Sequence, residues 1–191
     1  MKFAASFFLS GLFLSGLFLS AILLCAPAGA QTSNLVRHPA TPEDRRPNDP
    51  KVPDAYAVTG KFDRIVVMRI KNKADLLRGM EQLVKKEGIK DAVILSGIGS
   101  LRGYHVHNVA SRDYPVDDVF TKAPTTPANL NAMNGYIVNG QIHCHVTMAV
   151  GDKAAAISGH LEPGTEVLTF AIVTVGVLDK PLGRVDDQTY R

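Results

Sequence analysis

The order of apolar and polar residues divides the middle of the chain into strands and one helix. Apolar residues that alternate with polar ones, or run together briefly, predict strands. The predicted strands are residues 62–70, 91–95, 101–110, 130–138, 141–150, 154–161 and 166–178. The last of these is apolar on both faces and is expected at the centre of the sheet.

One segment has helical spacing instead. Leu76, Met80 and Leu83 lie on an apolar stripe, and we expect Asn72 to cap the helix, which runs to Glu87 before Gly88 stops it. One long helix among many strands predicts a single α+β domain with a mainly antiparallel sheet.

Three further segments are predicted to join or interrupt these elements. Residues 96–100 form a glycine-rich turn, and residues 111–128 form a long polar loop. Asn139-Gly140 is typical of a tight hairpin turn.

The N-terminus is typical of a secretory signal peptide. Lys2 precedes an uncharged apolar run, and the small residues Ala28-Gly29-Ala30 follow it. Cleavage after Ala30 makes residues 1–30 the signal, predicts a periplasmic or secreted protein and leaves no transmembrane segment. The alternatives are an uncleaved anchor, because the run reaches about 20 residues, and lipidation at Cys25.

Residues 31–56 are rich in proline and are predicted to be a disordered or extended linker. An alternative is a DNA-binding arm, because Arg45-Arg46-Pro47 is similar to an AT-hook, although the glycine between the arginines is missing. The folded domain is predicted over residues 57–180, with a C-terminal tail at residues 181–191.

Composition narrows the classes of function. The 191 residues carry a formal net charge of +3, which is too weak an excess to indicate a protein that depends on phosphate contacts. After cleavage, Cys144 is the remaining cysteine, so the mature chain forms no internal disulfide. We interpret Cys144 as a small buried apolar residue.

A histidine pair lies on the predicted strand 141–150. Side chains alternate along a strand, so His143 and His145 share one face while Cys144 points to the core. A two-residue turn after this strand places His160 opposite His143, and a four-residue turn places it opposite His145. Either register gathers three imidazoles, whereas a three-residue turn sends His160 to the other face.

Three converging imidazoles favour a divalent transition metal, and we expect Zn²⁺, with His143, His145 and His160 as ligands. A fourth position would hold water that becomes acidic near neutral pH. The alternative is that these histidines bond only backbone or solvent.

A second histidine pair, His105 and His107, lies on the predicted strand 101–110. The two could line the same cleft, bind a second metal or face solvent. Glu162 is a possible general acid or base, or part of a turn with Pro163-Gly164. We therefore keep Glu162, His105 and His107 as candidate catalytic residues.

Three motifs occur in order between about residues 61 and 178: L-S-G-I-G-S-L at 95–101, H-C-H-V at 143–146 and S-G-H-L at 158–161. Together they resemble the PPC domain (plant and prokaryote conserved domain) of the stand-alone bacterial type. The resemblance implies a homotrimer and matches His143, His145 and His160 to metal-binding histidines. The same fold group contains α-acetolactate decarboxylase, whose zinc is held by a similar pattern.

The sequence departs from the family pattern in two places. Residues 129–133 lack the acidic residue that the family usually has there, and Ser158 replaces a usual glycine.

Two hypotheses follow. The first is an exported, homotrimeric, zinc-binding PPC protein that binds a small ligand or, by the family's DNA-binding label, nucleic acid. An export signal and weak charge make nucleic acid a poor fit. The second is a zinc-dependent lyase or hydrolase that acts on a small carbonyl or carboxylate substrate.

Overall fold

A computed structural model of the protein describes residues 30–183. The predicted signal peptide lies outside the described residues except for Ala30, and the predicted tail lies outside them from residue 184 onward. Within residues 30–183, no helix is both long and apolar enough to span a bilayer.

In the described part of the chain, eight strands form one sheet, and all the pairings between them are antiparallel. The strands are β1 (Thr32–Val36), β2 (Phe62–Lys71), β3 (Ala92–Val109), β4 (Asp118–Ala123), β5 (Ala128–Val138), β6 (Gln141–Val150), β7 (Ala155–Leu161) and β8 (Glu166–Leu178). The α-helix α1 (Leu76–Lys86) follows β2, and a short 3₁₀ turn covers Glu43–Arg45. The predicted α+β class with a mainly antiparallel sheet is confirmed.

The helix begins three residues later than predicted. Asp75, not Asn72, is its N-cap, because the Asp75 carboxylate accepts a hydrogen bond from the Arg78 amide at 2.9 Å. The Asn72 side chain instead donates to the carbonyl of Leu168. Gly88 follows the helix with a φ of +64°, as its role in stopping the helix requires.

Strand β3 is continuous where two strands and a glycine-rich turn were predicted. The glycines serve close packing here, since a Cβ on Gly97 would lie 2.5 Å from the Met133 Cβ, and one on Gly99 would lie 2.7 Å from the Phe170 carbonyl oxygen. Bulges absorb the irregularity between β3 and β8. The prediction of a turn at residues 96–100 was therefore wrong.

Two strands form where the sequence predicted none. Strand β4 lies within the predicted loop 111–128 and pairs with β3. Strand β1 lies within the predicted linker 31–56 and pairs with β4 through all five of its residues. The first part of that linker is thus corrected from disordered or extended chain to an edge strand.

Four of the strands pair in a closed ring. Strand β3 pairs with β5, β5 with β6 and β6 with β7, and β7 returns to β3 through Val106↔Leu161 and His107↔His160. Strand β8 lies between β2 and β3, so the prediction that it is central is confirmed.

The core extends from the helix across the sheet into the ring of β3, β5, β6 and β7. Leu76, Met80 and Val84 form the buried face of α1, and Met68 and Ile70 of β2 are in the same cluster. The other face of β2 carries an exposed apolar patch beside the charged Arg69, with Val67 63% and Ile65 51% exposed.

Candidate metal centre

The β6–β7 hairpin has the longer of the two predicted turns. Val150 pairs with Ala155, so residues 151–154 form a four-residue turn and His145 lies directly opposite His160. His143 lies one position further along the same face of β6, while Cys144 is buried on the core face. The alternation of side chains thus predicted that the three histidines share a face, and the observed pairing of His160 with His145 is one of the two predicted registers.

The three imidazoles converge. One ligand atom from each of His143, His145 and His160 lies within 4.8 Å of the other two. The His160 ring stands nearly perpendicular to both partners, with centroid distances of 4.8 Å to His143 and 5.4 Å to His145. Tyr136 on β5 stacks on His143 at 5.0 Å and supports that ring from the outer side.

The surroundings favour the neutral form of His145 and His160. Burial, followed by neighbouring His107, His143 and His145, lowers the pKa of His160 to about 4. Burial also lowers the pKa of His145, with smaller contributions from His143 and His107. A neutral imidazole has a free nitrogen lone pair, so the site is ready for a metal at neutral pH.

Gly159 lets β7 approach β3 beside the cluster. A Cβ at this position would lie 2.7 Å from the His107 carbonyl oxygen and 2.8 Å from the Asn108 amide nitrogen. The Asn108 side chain also donates to the Ser158 carbonyl at 2.9 Å. The close contact places His107 next to His160, with ring centroids 4.6 Å apart.

His107 and Glu162 form a hydrogen-bonded pair beside the cluster. The His107 Nδ1 atom lies 2.6 Å from the Glu162 Oε1 atom, and both side chains are about three-quarters buried. Thr165, fully buried, fixes the turn that carries Glu162, since its hydroxyl lies 3.1 Å from the Glu162 carbonyl and accepts from the His105 amide. Glu162 therefore faces His107 as well as belonging to the turn.

His105 is separate from this group. Its Nδ1 atom lies 2.8 Å from the Pro163 carbonyl oxygen, and its ring contacts Phe120 at 5.9 Å. Among the described residues, one group has the spacing of a metal site, and it includes neither His105 nor His107. A second metal at this pair is thus not supported, and of the two histidines His107 alone lines the cavity described next.

A cavity of about 1020 Å³ opens over the cluster. Four groups of residues line it: the three clustered histidines, His107 and Asn108 of β3, the loop around Tyr114 and Asp118, and His38, Thr41 and Asp44 of the N-terminal segment. Sequence patterns did not indicate the last group, because His38 belongs to a proline-rich segment whose pairing partner is far along the chain.

The fold and the site together give the class of the protein. It is a small antiparallel α+β domain in which three histidines on one hairpin form a candidate metal centre. The chain belongs to the Plants and Prokaryotes Conserved (PCC) domain family, whose model matches residues 57–179. This is the family called PPC above, so that prediction is confirmed. No curated protein sequence matches the chain.

Solved structures share the fold. A metal-containing protein from Archaeoglobus fulgidus is 22% identical, with a TM-score of 0.55 over 65% of this chain and 86% of that one. A plant- and prokaryote-conserved protein from Pyrococcus horikoshii is also 22% identical, with a TM-score of 0.54 over 66% and 86%. A protein from Bacteroides thetaiotaomicron to which DNA binding has been ascribed is 18% identical, with a TM-score of 0.51 over 64% and 86%. At these identities the similarity establishes the fold alone.

Proposed function

We propose that the chain is an exported, homotrimeric, zinc-binding PPC protein whose metal site takes a small ligand. The convergence of His143, His145 and His160 carries the proposal. Imidazole nitrogens bind zinc at about 2.0–2.1 Å, so small ring rotations are enough to bring the three ligand atoms onto one ion. The name of the Archaeoglobus relative, a metal-containing protein, supports the same assignment.

Metal analysis of matched variants tests the site. The full-length gene is expressed, and the purified wild type, His143→Ala and His105→Ala proteins are dialysed against metal-free buffer and assayed for zinc and other transition metals. We expect zinc in the wild type and in His105→Ala, and its loss in His143→Ala. Equal metal content in all three proteins would remove the site.

The N-terminal sequence supports export. The apolar run and the Ala28-Gly29-Ala30 triplet are the features that indicate it, and fractionation with N-terminal sequencing tests it, with Gln31 expected as the first residue.

Exposed apolar residues on β2 and β8 support assembly. Val67, Ile65 and Phe170 are exposed on these strands, and isolated domains seldom expose such patches. Sedimentation equilibrium gives the mass, and a monomer would contradict the homotrimer.

The ligand we propose is a small molecule and not nucleic acid. The cavity wall includes the carboxylates of Asp44 and Asp118, which repel phosphate, and the chain has a net charge of only +3. A labelled DNA duplex titrated at low salt is expected to show no saturable change in anisotropy. Tight, steeply salt-dependent binding would favour the DNA-binding label instead.

A second candidate function is a zinc-dependent hydrolase or lyase, and the His107–Glu162 pair favours it. A zinc ion would polarise a substrate oxygen or acidify a bound water. The Glu162 carboxylate lies 2.6 Å from His107 Nδ1 and orients the His107 ring toward His160, so His107 is placed to transfer a proton at the cavity surface.

Hydrolysis of p-nitrophenyl acetate and decarboxylation of a 3-keto acid, measured with zinc-loaded protein, test the enzyme hypothesis. Glu162→Gln keeps the size of the side chain and leaves the three candidate ligands in place, so we expect it to retain zinc while it loses turnover. His105→Ala serves as the control that retains both. Turnover that is absent, or equal in Glu162→Gln, would contradict the enzyme hypothesis.

A further inference from the structure

The N-terminal segment reaches the metal cavity from outside the family domain. The family model matches residues 57–179, yet His38, Thr41 and Asp44 line the cavity together with the clustered histidines. We call residues 32–44 the N-terminal arm. The cavity therefore has a wall that the family domain of this chain does not supply.

The first half of the arm is attached as an edge strand. Strand β1 pairs with β4 from Thr32↔Lys122 to Val36↔Asp118. The hydroxyls of Ser33 and Thr121 face each other at 3.4 Å across this ladder. The same β4 residues also pair with β3, where Phe120 lies opposite His107. This first half of the arm is thus separated from β3, which carries His107, by strand β4.

The second half of the arm lies along the cavity wall and is held by polar contacts. The His38 Nε2 atom lies 3.5 Å from Asp118 Oδ2, and the His38 amide donates to Asp117 Oδ1 at 3.4 Å. Beyond this point, Asp44 Oδ2 accepts from both the amide and the hydroxyl of Thr41 at 2.7 Å. These contacts shape the arm into a turn beside the histidines.

The arm is weakly held compared with the rest of the sheet. Of residues 32–44, Val36 and Asp44 are partly buried and the others are exposed. Exposed polar contacts and a single edge ladder contribute little free energy, so such a segment opens at low cost. Pro39 and Pro42 restrict the backbone of this segment, and Pro42 begins the turn that the Thr41–Asp44 hydrogen bonds hold.

We propose that the N-terminal arm governs the access of small oxygen-donor ligands to the histidine cluster. The cavity of about 1020 Å³ is at the upper end of the size of small-molecule sites. The ligand class rests on the proposed metal function, since a bound cation selects the oxygen donor. The access role rests only on the position of the arm.

Two opposite variants test the arm in the full chain. The Ser33→Cys/Thr121→Cys variant locks β1 to β4 when it is oxidised, and the same protein in its reduced form is the control. The Asn34→Pro/Leu35→Pro variant removes two adjacent amides, so at least one ladder hydrogen bond is lost whichever amide faces β4. Val58→Pro/Thr59→Pro, in the exposed segment before β2, is its matched control.

Two measurements report how accessible the histidine cluster is to reagents in solution. The first is the rate at which EDTA removes zinc from the loaded protein. The second needs no metal: diethylpyrocarbonate labels the metal-free protein, and peptide mass spectrometry compares His160 inside the cavity with His105 outside it. We expect the proline variant to raise both rates by about fivefold or more, and oxidation of the cysteine variant to lower them by a similar factor.

The outcomes separate the two proposals. Zinc missing from the wild type would contradict the metal function, while the labelling of His160 would still test the arm. Rates within twofold of the controls, in both the locked and the released variants, would overturn the access role. A rise that His105 shares equally would indicate general unfolding and would also count against it.

Discussion

The contact at Gly159 yields a sharp prediction for Gly159→Ala. The added Cβ would lie 2.7 Å from the His107 carbonyl oxygen, 2.8 Å from the Asn108 amide nitrogen and 3.1 Å from the Val106 Cβ. Ordinary contacts of this kind begin near 3.4 Å, so β7 and β3 have to separate by about 0.7 Å. The movement acts on His107↔His160, the pairing that closes the ring of strands.

The expected magnitude follows from overpacking. Inserting one methyl group into a tightly packed contact costs typically about 1–3 kcal/mol. For a domain of this size, each kcal/mol lowers Tm by roughly 2–4 °C. Because His160 moves with β7, we expect Gly159→Ala also to weaken zinc binding, whereas Ser158→Ala, an exposed change on the same strand, does neither.

Urea unfolding and zinc titration of the wild type, Gly159→Ala and Ser158→Ala proteins measure both effects. Unfolding gives the free-energy difference, and titration of metal-free protein gives the affinity. A Gly159→Ala protein that is within about 0.5 kcal/mol of the wild type and binds zinc equally well would refute the argument. Equal losses in Ser158→Ala would refute it as well.

Three further predictions use other parts of the molecule. Burial raises the pKa of Cys144 to about 12 from 9.0, so the unfolded chain loses this proton first and stability should fall as pH rises from 9 toward 12; a Cys144→Ala protein with the same alkaline slope would contradict this. Val67→Asp should lower the sedimenting mass because it charges the exposed apolar face, and an unchanged mass would place the interface elsewhere. Asp75→Ala should cost about 1–2 kcal/mol in urea unfolding, since Asp75 caps α1 and also accepts from the Gly164 amide at 2.5 Å; a loss below about 0.5 kcal/mol would contradict the cap.

Local patterns predicted the part of the site that is local in sequence. The β6–β7 hairpin joins residues through one short turn, so alternation alone placed His143, His145 and His160 on a common face. Two turn lengths were consistent with that face, and no feature of Gly151-Asp152 selects between them. The structure selects the four-residue turn.

The same local patterns could not predict which distant strands pair with each other. His107 lies beside His160 because β3 and β7 pair at two positions, and nothing in either strand's own pattern specifies that partner. Strand β4 lies in a polar, proline-bearing stretch, and β1 adjoins a proline-rich segment, so each was predicted as loop or linker. Their partners, and not their own propensities, make them strands.

Glycine has two structural roles in this chain, and the sequence alone does not distinguish them. Gly88 has a positive φ and ends a helix, as predicted, whereas Gly97 and Gly99 lie within a strand where neighbouring chains come close. The same residue type therefore predicted a true boundary in one place and a false one in the other.

The closed ring of β3, β5, β6 and β7 divides the site into two parts with different folding requirements. The three candidate ligands belong to one hairpin, whose short loop costs little entropy to close. His107 joins them only when β3, far along the chain, completes the ring. The three candidate ligands are therefore placed by a local contact and His107 by a long-range one, so a His107→Ala protein should keep the arrangement of the three histidines while it loses the side chain beside His160.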